Sequence, residues 1–238
     1  MADVPLAARM RPTTFEEFVG QSHLIGPGKA LSRLLEGGHL PSIVLWGPAG
    51  TGKTTLAYLL ADAVGAQLVQ LSAVSSGVAD ARKVIDQARG GLFRTVLFVD
   101  EVHRWSKAQQ DVLLPAVEEG TVTLIGATTE NPYFSHATPL LARGILLQRE
   151  PRSPDEVRTL LEHALADEDR GLAKQGVEVS DEAFDHLVDI AGGDARVALT
   201  GLEAAVLAAR SAGEGTVTLE RAADAVQKKA IVYDRQGD

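Results

Sequence analysis

Two short clusters contain the residue types that handle phosphate chemistry. Lys53 and Thr54 end a glycine-rich stretch, residues 47–54, that reads Gly-Pro-Ala-Gly-Thr-Gly-Lys-Thr, and Asp100 and Glu101 form an adjacent acidic pair. A lysine can hold phosphate oxygens, a threonine hydroxyl and an aspartate can bind Mg²⁺, and a glutamate can accept a proton from water. The two clusters together predict a site for a nucleoside triphosphate and Mg²⁺ at which the triphosphate is hydrolysed.

The glycine-rich stretch follows the apolar run 42–46 and precedes the helical pattern 54–64. Strand, loop and helix in this order are the context that a phosphate-binding loop requires. Its glycines can adopt positive φ and turn backbone N–H groups inward, toward a polyphosphate at the helix N-terminus. A glycine-rich turn without a ligand is the alternative. It is disfavoured because every position of the stretch and both flanking segments fit the phosphate-binding pattern. The residues predicted to contact the nucleotide are Gly47, Pro48, Ala49, Gly50, Thr51, Gly52, Lys53, Thr54 and Thr55.

The acidic pair ends the apolar run 95–99. Burying charge is costly, so adjacent acids at the end of a buried strand suggest a function. We expect Asp100 to hold Mg²⁺, through water, together with Thr54, and Glu101 to act as general base on the attacking water. The alternative is a strand that ends in a solvated acidic turn.

A third polar segment ends the run 121–127. Polar residues at the carboxyl end of a buried parallel strand face the ligand crevice of such sheets. Thr128 and Asn131 are therefore candidates to sense the γ-phosphate or to orient water, and the sequence does not decide between them. A threonine-rich strand end closed by Asn-Pro is the alternative.

The 238-residue chain can hold one large domain or two small ones. It has no apolar run of membrane-spanning length, no basic-then-apolar leader and no cysteine, so we expect a cytoplasmic protein, nucleoid-associated if bacterial, with no membrane partner. A net charge of −9 argues against a globally basic nucleic-acid binder but allows a local basic strip. A solvated charged face explains the strip candidates at least as well. They are Arg82, Lys83, Arg89, Arg94, Arg104 and Lys107.

Two regions differ in pattern. Apolar runs alternate with helical patterns up to about residue 148, which predicts an α/β domain at 1–150 with a five-stranded parallel sheet. A proline-containing break at 149–154 precedes helical patterns only, which predict a small all-helical lid at 151–238. The predicted strands are 42–46, 67–72, 95–99, 121–127 and 145–148. The predicted helices are 54–64, 78–89, 107–118, 140–143, 154–169, 180–191, 194–211 and 219–228.

Several stretches resemble AAA+ ATPases of the clamp-loader and Holliday-junction-helicase type, and most closely the replication-associated recombination family that includes the Werner-helicase-interacting protein. The resemblance covers nearly the whole chain, and its most specific parts are residues 107–111 and 121–132. The other stretches that carry it are residues 5–12, 18–21, 45–48, 71–74, 98–104 and 193–196.

The resemblance implies further roles. Arg143 matches the arginine finger that reaches a neighbouring subunit's γ-phosphate, and Arg196 matches the sensor-2 arginine of the lid. Val19 and Gly20 match the segment that lines the adenine pocket. From the residues alone, a surface arginine for Arg143 and a cap pair of Asp194 with Arg196 remain alternatives.

The resemblance also implies DNA as a partner, in single-stranded, gapped or forked form, together with a homo-oligomer and replication or single-strand-binding proteins. Residues 230–238 resemble the junction to a C-terminal oligomerisation domain, and we expect that domain to be absent here. The leading prediction is an ATPase that maintains replication forks. The alternatives are a clamp-loader or branch-migration subunit, a nucleotide-gated scaffold and, among other P-loop enzymes, a small-molecule kinase.

Overall fold

The computed structural model describes residues 4–21, 23–26, 28–132, 140 and 143–236. They form two compact units. The α/β unit comprises residues 13–15 and 21–150, and the helical unit comprises residues 4–12, 16–20 and 151–236. Segments 4–12 and 16–20 fall within the predicted α/β domain at 1–150 but lie in the helical unit. Burial of Leu6 explains this placement, since its side chain is fully enclosed in the helical core.

The elements follow the predicted alternation closely. The strands are β1 (Ile43–Trp46), β2 (Gln67–Ser72), β3 (Thr95–Asp100), β4 (Val122–Thr128), β5 (Ile145–Gln148), β6 (Glu178–Val179) and β7 (Thr216–Val217). The α-helices are α1 (Leu6–Arg9), α2 (Ala30–Glu36), α3 (Lys53–Ala63), α4 (Val78–Gly90), α5 (Lys107–Glu118), α6 (Pro154–Ala166), α7 (Asp181–Ala191), α8 (Ala195–Ser211) and α9 (Leu219–Gln236). Short 3₁₀ turns lie at Val102–Arg104 and Ala173–Gln175. The helix predicted at 140–143 includes Leu141 and Ala142, which lie outside the described residues.

The predicted five-stranded parallel sheet is confirmed. Its order is β2-β3-β4-β1-β5, and every pairing is parallel. Strand β3 is buried at every residue before Asp100, while the edge strands β2 and β5 expose part of their residues. This pattern follows from the order, because an edge strand has a neighbour on one side only.

The parallel order brings the carboxyl ends of β1, β3 and β4 to one edge of the sheet. Trp46 is in register with Thr128, and Val99 is in register with Gly126. Strand β1 leads into the glycine-rich loop, β3 ends at the acidic pair, and β4 leads into the segment after Thr128. The three predicted site segments therefore meet at this edge, which is the usual ligand edge of an open parallel sheet.

The helical unit has its own core, to which α6, α7, α8 and α9 contribute. Ser153, Ser180 and Asp194 cap α6, α7 and α8 through side-chain oxygens. The unit also contains the parallel pair β6–β7, which was not predicted because two-residue strands leave no periodic pattern. Helix α9 reaches Gln236, beyond the predicted end at 228. None of the helices within the described residues combines the length and the apolar character of a membrane span.

Candidate nucleotide-binding site

The glycine-rich loop joins β1 to α3 with three glycines at positive φ. Gly47, Gly50 and Gly52 have φ values of 155°, 69° and 84°. Gly52 precedes α3 and provides no side-chain cap, whereas α5 to α8 each have one. The first turn of α3 therefore presents its backbone N–H groups at the positive end of the helix dipole, an arrangement suited to an anion.

Lys53 is the first residue of α3, and only 8% of its surface is exposed. Its ammonium donates to the carbonyl oxygens of Gly47 at 2.7 Å and Pro48 at 2.8 Å. Thr51 closes the loop from the other side, since its buried hydroxyl donates to the Pro48 carbonyl at 3.0 Å. These contacts place the lysine charge inside the loop. Thr54 and Thr55 follow on the same helical turn and are half-buried.

Arg149, which was not among the predicted site residues, contacts the glycine-rich loop. The side chain is 1% exposed, and its Nη2 donates to the carbonyl of Thr51. A Cβ at Gly47 would lie 2.3 Å from the Arg149 carbonyl oxygen, so only glycine fits there. No sequence signal marked this arginine, because it directly follows an edge strand where a surface charge is ordinary.

The acidic pair stands at the end of β3. Asp100 is the last strand residue, and its carboxylate accepts from the backbone N–H of Glu101 at 3.1 Å. Glu101 itself has φ 53° and ψ 44°, a left-handed conformation that is uncommon for a residue with a side chain. Unusual backbone of this kind concentrates at functional sites.

A polar cluster surrounds the Glu101 carboxylate. His103 Nε2 lies 3.3 Å from Glu101 Oε2 and 3.4 Å from Glu130 Oε1, while His103 Nδ1 lies 2.8 Å from the hydroxyl of Thr128. Of these residues, the predictions named Glu101 and Thr128. The structure thus brings a predicted sensor candidate to the predicted general base through a histidine. Asn131, the other candidate, lies three residues beyond the end of β4.

The described residues include no group of three or more His, Asp or Glu side chains that would hold a metal by themselves. Thr54 and Asp100 nevertheless fit Mg²⁺ bound together with a nucleotide. They offer a hydroxyl and a carboxylate, the hard oxygen ligands that this ion prefers beside phosphates and water.

Arg143, the predicted arginine finger, pairs with Glu118 at the end of α5. Its Nη2 lies 2.6 Å from Glu118 Oε1, and the two side chains are 40% and 48% exposed. Exposed ion pairs contribute little free energy, about 0–1 kcal/mol. Glu118 therefore holds the guanidinium only weakly, so that another acceptor can replace it.

The helical unit contains the predicted adenine-pocket segment and the sensor-2 candidate. The Nε of Arg152 donates to the carbonyl of Val19 at 3.2 Å, and a Cβ at Gly20 would lie 3.1 Å from the Glu156 carboxylate. Arg196 is exposed in the first turn of α8. Asp194 does cap the helix at Arg196, but through the backbone: its carboxylate accepts from the N–H of Arg196 at 2.7 Å.

Arg152 also links these two segments of the helical unit. Its backbone N–H donates to the Gly193 carbonyl at 3.4 Å, one turn before Arg196. Burial lowers the pKa of the Arg152 guanidinium, and the charges of Glu156 and Asp194 partly offset that effect. The arginine stays charged, because a guanidinium is not deprotonated in proteins.

Of the six basic residues considered for DNA binding, three lie at opposite ends of β3, and the other three, Arg82, Lys83 and Arg89, lie on α4. Arg94 precedes β3 at its amino end, where it donates to the Gly38 carbonyl. Arg104 and Lys107 follow β3 at its carboxyl end. A six-residue strand spans roughly 17–20 Å, so these two groups are separated by about two Debye lengths.

Comparison with known proteins agrees with this geometry. The model of the ATPase family associated with various cellular activities (AAA) matches residues 43–150, and that of the AAA C-terminal domain matches residues 173–238. The chain thus contains a domain of the AAA family of ATPases. This confirms the resemblance seen in the motifs, and the AAA domain match covers the glycine-rich loop, the acidic pair and Arg149.

Known proteins can be aligned with this chain over all or nearly all of its length. It is 50% identical, over 100% of its length, to an uncharacterised AAA domain-containing protein of Mycobacterium tuberculosis, and 42% identical, over 98%, to replication-associated recombination protein A of Escherichia coli. The chain spans 52% and 54% of these proteins, about half their length. Among solved structures it is similar to the RuvB Holliday junction branch migration motor of Thermotoga maritima, with a TM-score of 0.76 at 27% identity over 92% of this chain and 72% of that one.

Proposed function

We propose that this AAA protein binds ATP with Mg²⁺ and hydrolyses it, and that it uses the cycle on DNA in replication-fork maintenance and recombination. The observation that carries the ATPase proposal is the edge of the sheet where the glycine-rich loop, Lys53, Asp100 and Glu101 meet. The DNA role is supported by similarity to replication-associated recombination protein A over 98% of this chain.

The reaction requires little covalent chemistry from the protein. The loop amides and Lys53 hold the β- and γ-phosphates, and Thr54 and Asp100 hold Mg²⁺, which neutralises phosphate charge when bound. Glu101 accepts a proton from water as the water oxygen bonds to the γ-phosphorus and the bond to the β–γ bridging oxygen breaks. Products are ADP and phosphate. Thr128 and Asn131 orient the water or sense the γ-phosphate.

Other groups complete the site in this proposal. Val19 and Gly20 line the adenine, and Arg196 contacts the phosphates from the lid. Arg143 acts on the nucleotide of a neighbouring subunit in a homo-oligomer, where a guanidinium supplied in trans is worth on the order of 10³–10⁵ in rate. The fork-DNA preference, replication-protein partners and a cytoplasmic, nucleoid-associated location belong to the same proposal.

Turnover measured against protein concentration, with and without forked or gapped DNA, tests the proposal. The rate per subunit should rise with protein concentration, because each site requires Arg143 of a neighbouring subunit. Glu101→Gln should retain ATP binding and lose hydrolysis, while Lys53→Ala should lose both. Mixed Lys53→Ala and Arg143→Ala chains should recover part of the activity. A concentration-independent rate with inactive mixtures would exclude the shared site.

Branch migration is a second candidate, because the structural similarity to the Thermotoga maritima motor extends over 92% of this chain. A four-way junction that stimulates turnover more than a fork would favour it. DNA affinity should fall steeply with salt if phosphate contacts carry the binding. Binding that is insensitive to salt, or absent at low salt, would exclude a DNA role for the basic residues.

A further inference from the structure

His103 stands between the predicted general base and the end of β4, yet the proposed reaction gives it no role. Its side chain is 8% exposed, while Glu101 and Glu130 are 32% and 60% exposed. It is thus a nearly buried imidazole with carboxylates on its Nε2 side and a buried hydroxyl on its Nδ1 side.

The chemistry of these neighbours restricts the proton positions. A carboxylate accepts hydrogen bonds only, so the Nε2 facing Glu101 and Glu130 must bear the proton. In the neutral form of the imidazole, Nδ1 is then the acceptor for the Thr128 hydroxyl at 2.8 Å, a hydroxyl that also lies 3.4 Å from the Glu130 carbonyl oxygen. That hydroxyl oxygen in turn accepts from the backbone N–H of Glu130 at 3.0 Å.

The backbone around His103 is built for this placement. Glu101, in its left-handed conformation, turns the chain into the Val102–Arg104 turn. Val102 is buried against β4, where a Cβ at Gly126 would approach its Cγ1 to 3.2 Å. The missing side chain at Gly126 lets the turn lie directly on β4, and His103 consequently reaches Thr128.

We propose that His103 is a positioning residue that orients the Glu101 carboxylate and couples it to Thr128. A displacement of the β4 end upon contact with the γ-phosphate passes through the imidazole to the general base. This inference rests on the proposed ATP hydrolysis. It differs from a purely structural role, in which His103 would only anchor the segment after Thr128.

Three substitutions separate these roles. The Nε2 position of histidine is matched by the amide of glutamine, and the Nδ1 position by the amide of asparagine. His103→Gln therefore keeps a donor toward Glu101, whereas His103→Asn keeps only the group facing Thr128. His103→Ala removes both.

We expect His103→Ala and His103→Asn to lower kcat on the order of 10- to 100-fold, since misplacing a catalytic group by about 1 Å can cost 10²-fold. His103→Gln should recover most of the activity. KM and the affinity for ATPγS should stay within about twofold in all three variants, because Lys53 and the loop are untouched. Equal activity of the asparagine and glutamine variants, or a change confined to KM, would overturn the inference.

A second measurement does not require turnover. Long-range ¹H–¹⁵N NMR in alkaline buffer, with the His103 signal assigned by its loss in His103→Gln, should show the tautomer with the proton on Nε2. ATPγS should shift this signal, and Thr128→Val should weaken the response. The tautomer protonated on Nδ1, or a signal unaffected by ATPγS, would contradict the proposed link. A wild-type chain that binds ATP without hydrolysing it, yet gives the expected NMR result, would contradict the proposed hydrolysis and leave the His103 placement standing.

Discussion

The glycine-rich loop and the polar cluster of Glu101, His103, Thr128 and Glu130 occupy the same edge of the sheet but are held differently. The loop is fixed by short contacts to its own backbone, including those of Lys53 at 2.7 and 2.8 Å. In the cluster, His103 contacts Thr128 at 2.8 Å, but its contacts to the Glu101 and Glu130 carboxylates are longer, at 3.3 and 3.4 Å, and these carboxylates are partly exposed.

This difference separates binding from hydrolysis. Contacts to main-chain carbonyls and a buried arginine make the loop a preformed anion site, whose affinity requires little reorganisation. The cluster can change its contacts at small cost, because partly exposed charges interact weakly. We infer that the preformed loop provides most of the phosphate binding, while hydrolysis depends on how the Glu101 side chain is oriented.

The largest effect is expected where the loop touches Arg149. Gly47→Ala places a Cβ 2.3 Å from a backbone oxygen at φ 155°, so the loop must shift. We expect the free energy of unfolding to fall by about 3 kcal/mol and ATP affinity to be lost. Gly65→Ala is a matched control, since Gly65 also has positive φ, at 63°, with open space around it.

The control should cost about 1 kcal/mol, the usual penalty for a left-handed alanine. Urea unfolding of both variants measures the difference. Equal losses would mean that the contact between Gly47 and Arg149 does not fix the loop.

Substitution of Arg149 should have a smaller effect than Gly47→Ala. Arg149→Met removes the donor to the Thr51 carbonyl while filling similar space. The buried carbonyl then lacks its donor, so we expect the free energy of unfolding to fall by about 1 kcal/mol. ATP affinity should fall about tenfold, or about 1.4 kcal/mol, because the loop is less well fixed. Titration with a fluorescent ATP analogue measures it, and Arg89→Met, an exposed arginine, should have no effect.

The same contrast explains what could be predicted from the sequence. The glycine-rich loop and the acidic pair could be predicted because each follows a local pattern, such as the apolar run that ends at Asp100. The parallel sheet then brings the strand ends that carry them to the same edge. Thr128 was predicted for the same reason. Arg149 and His103 were not, because a single arginine or histidine has no pattern, and its partners come from segments distant in sequence.

The assignment of residues 4–12 also escaped the sequence. Short helix α1 contributes Leu6 to the core of a unit that begins again at residue 151. Nothing local to Leu6 distinguishes a partner near in sequence from one about 150–200 residues away. Long-range packing of this kind is set by the three-dimensional core rather than by periodicity.

Within the cluster, Thr128→Val tests the sensor end. The substitution keeps the shape but removes the hydroxyl that contacts His103 and accepts from the Glu130 N–H. We expect kcat to fall about fivefold with ATP affinity unchanged, and the unfolding free energy to fall by about 1 kcal/mol. Thr123→Val, on the same strand with a 3.5 Å contact to Leu40, is the control and should leave kcat unchanged. A loss of ATP affinity instead would place Thr128 in the binding half of the site.

The smallest effect is expected at Glu118, which holds Arg143. Glu118→Gln removes an exposed ion pair, so the unfolding free energy should change by less than about 1 kcal/mol. If Arg143 serves a neighbouring subunit, removing its contact with Glu118 should raise the rate per chain about twofold at high protein concentration and leave the dilute rate unchanged. The double variant Glu118→Gln/Arg143→Ala should lose the gain. A gain that persists without Arg143, or one equal at all concentrations, would show that Glu118 acts within its own subunit. The shared-site proposal would then have to rest on a residue other than Arg143.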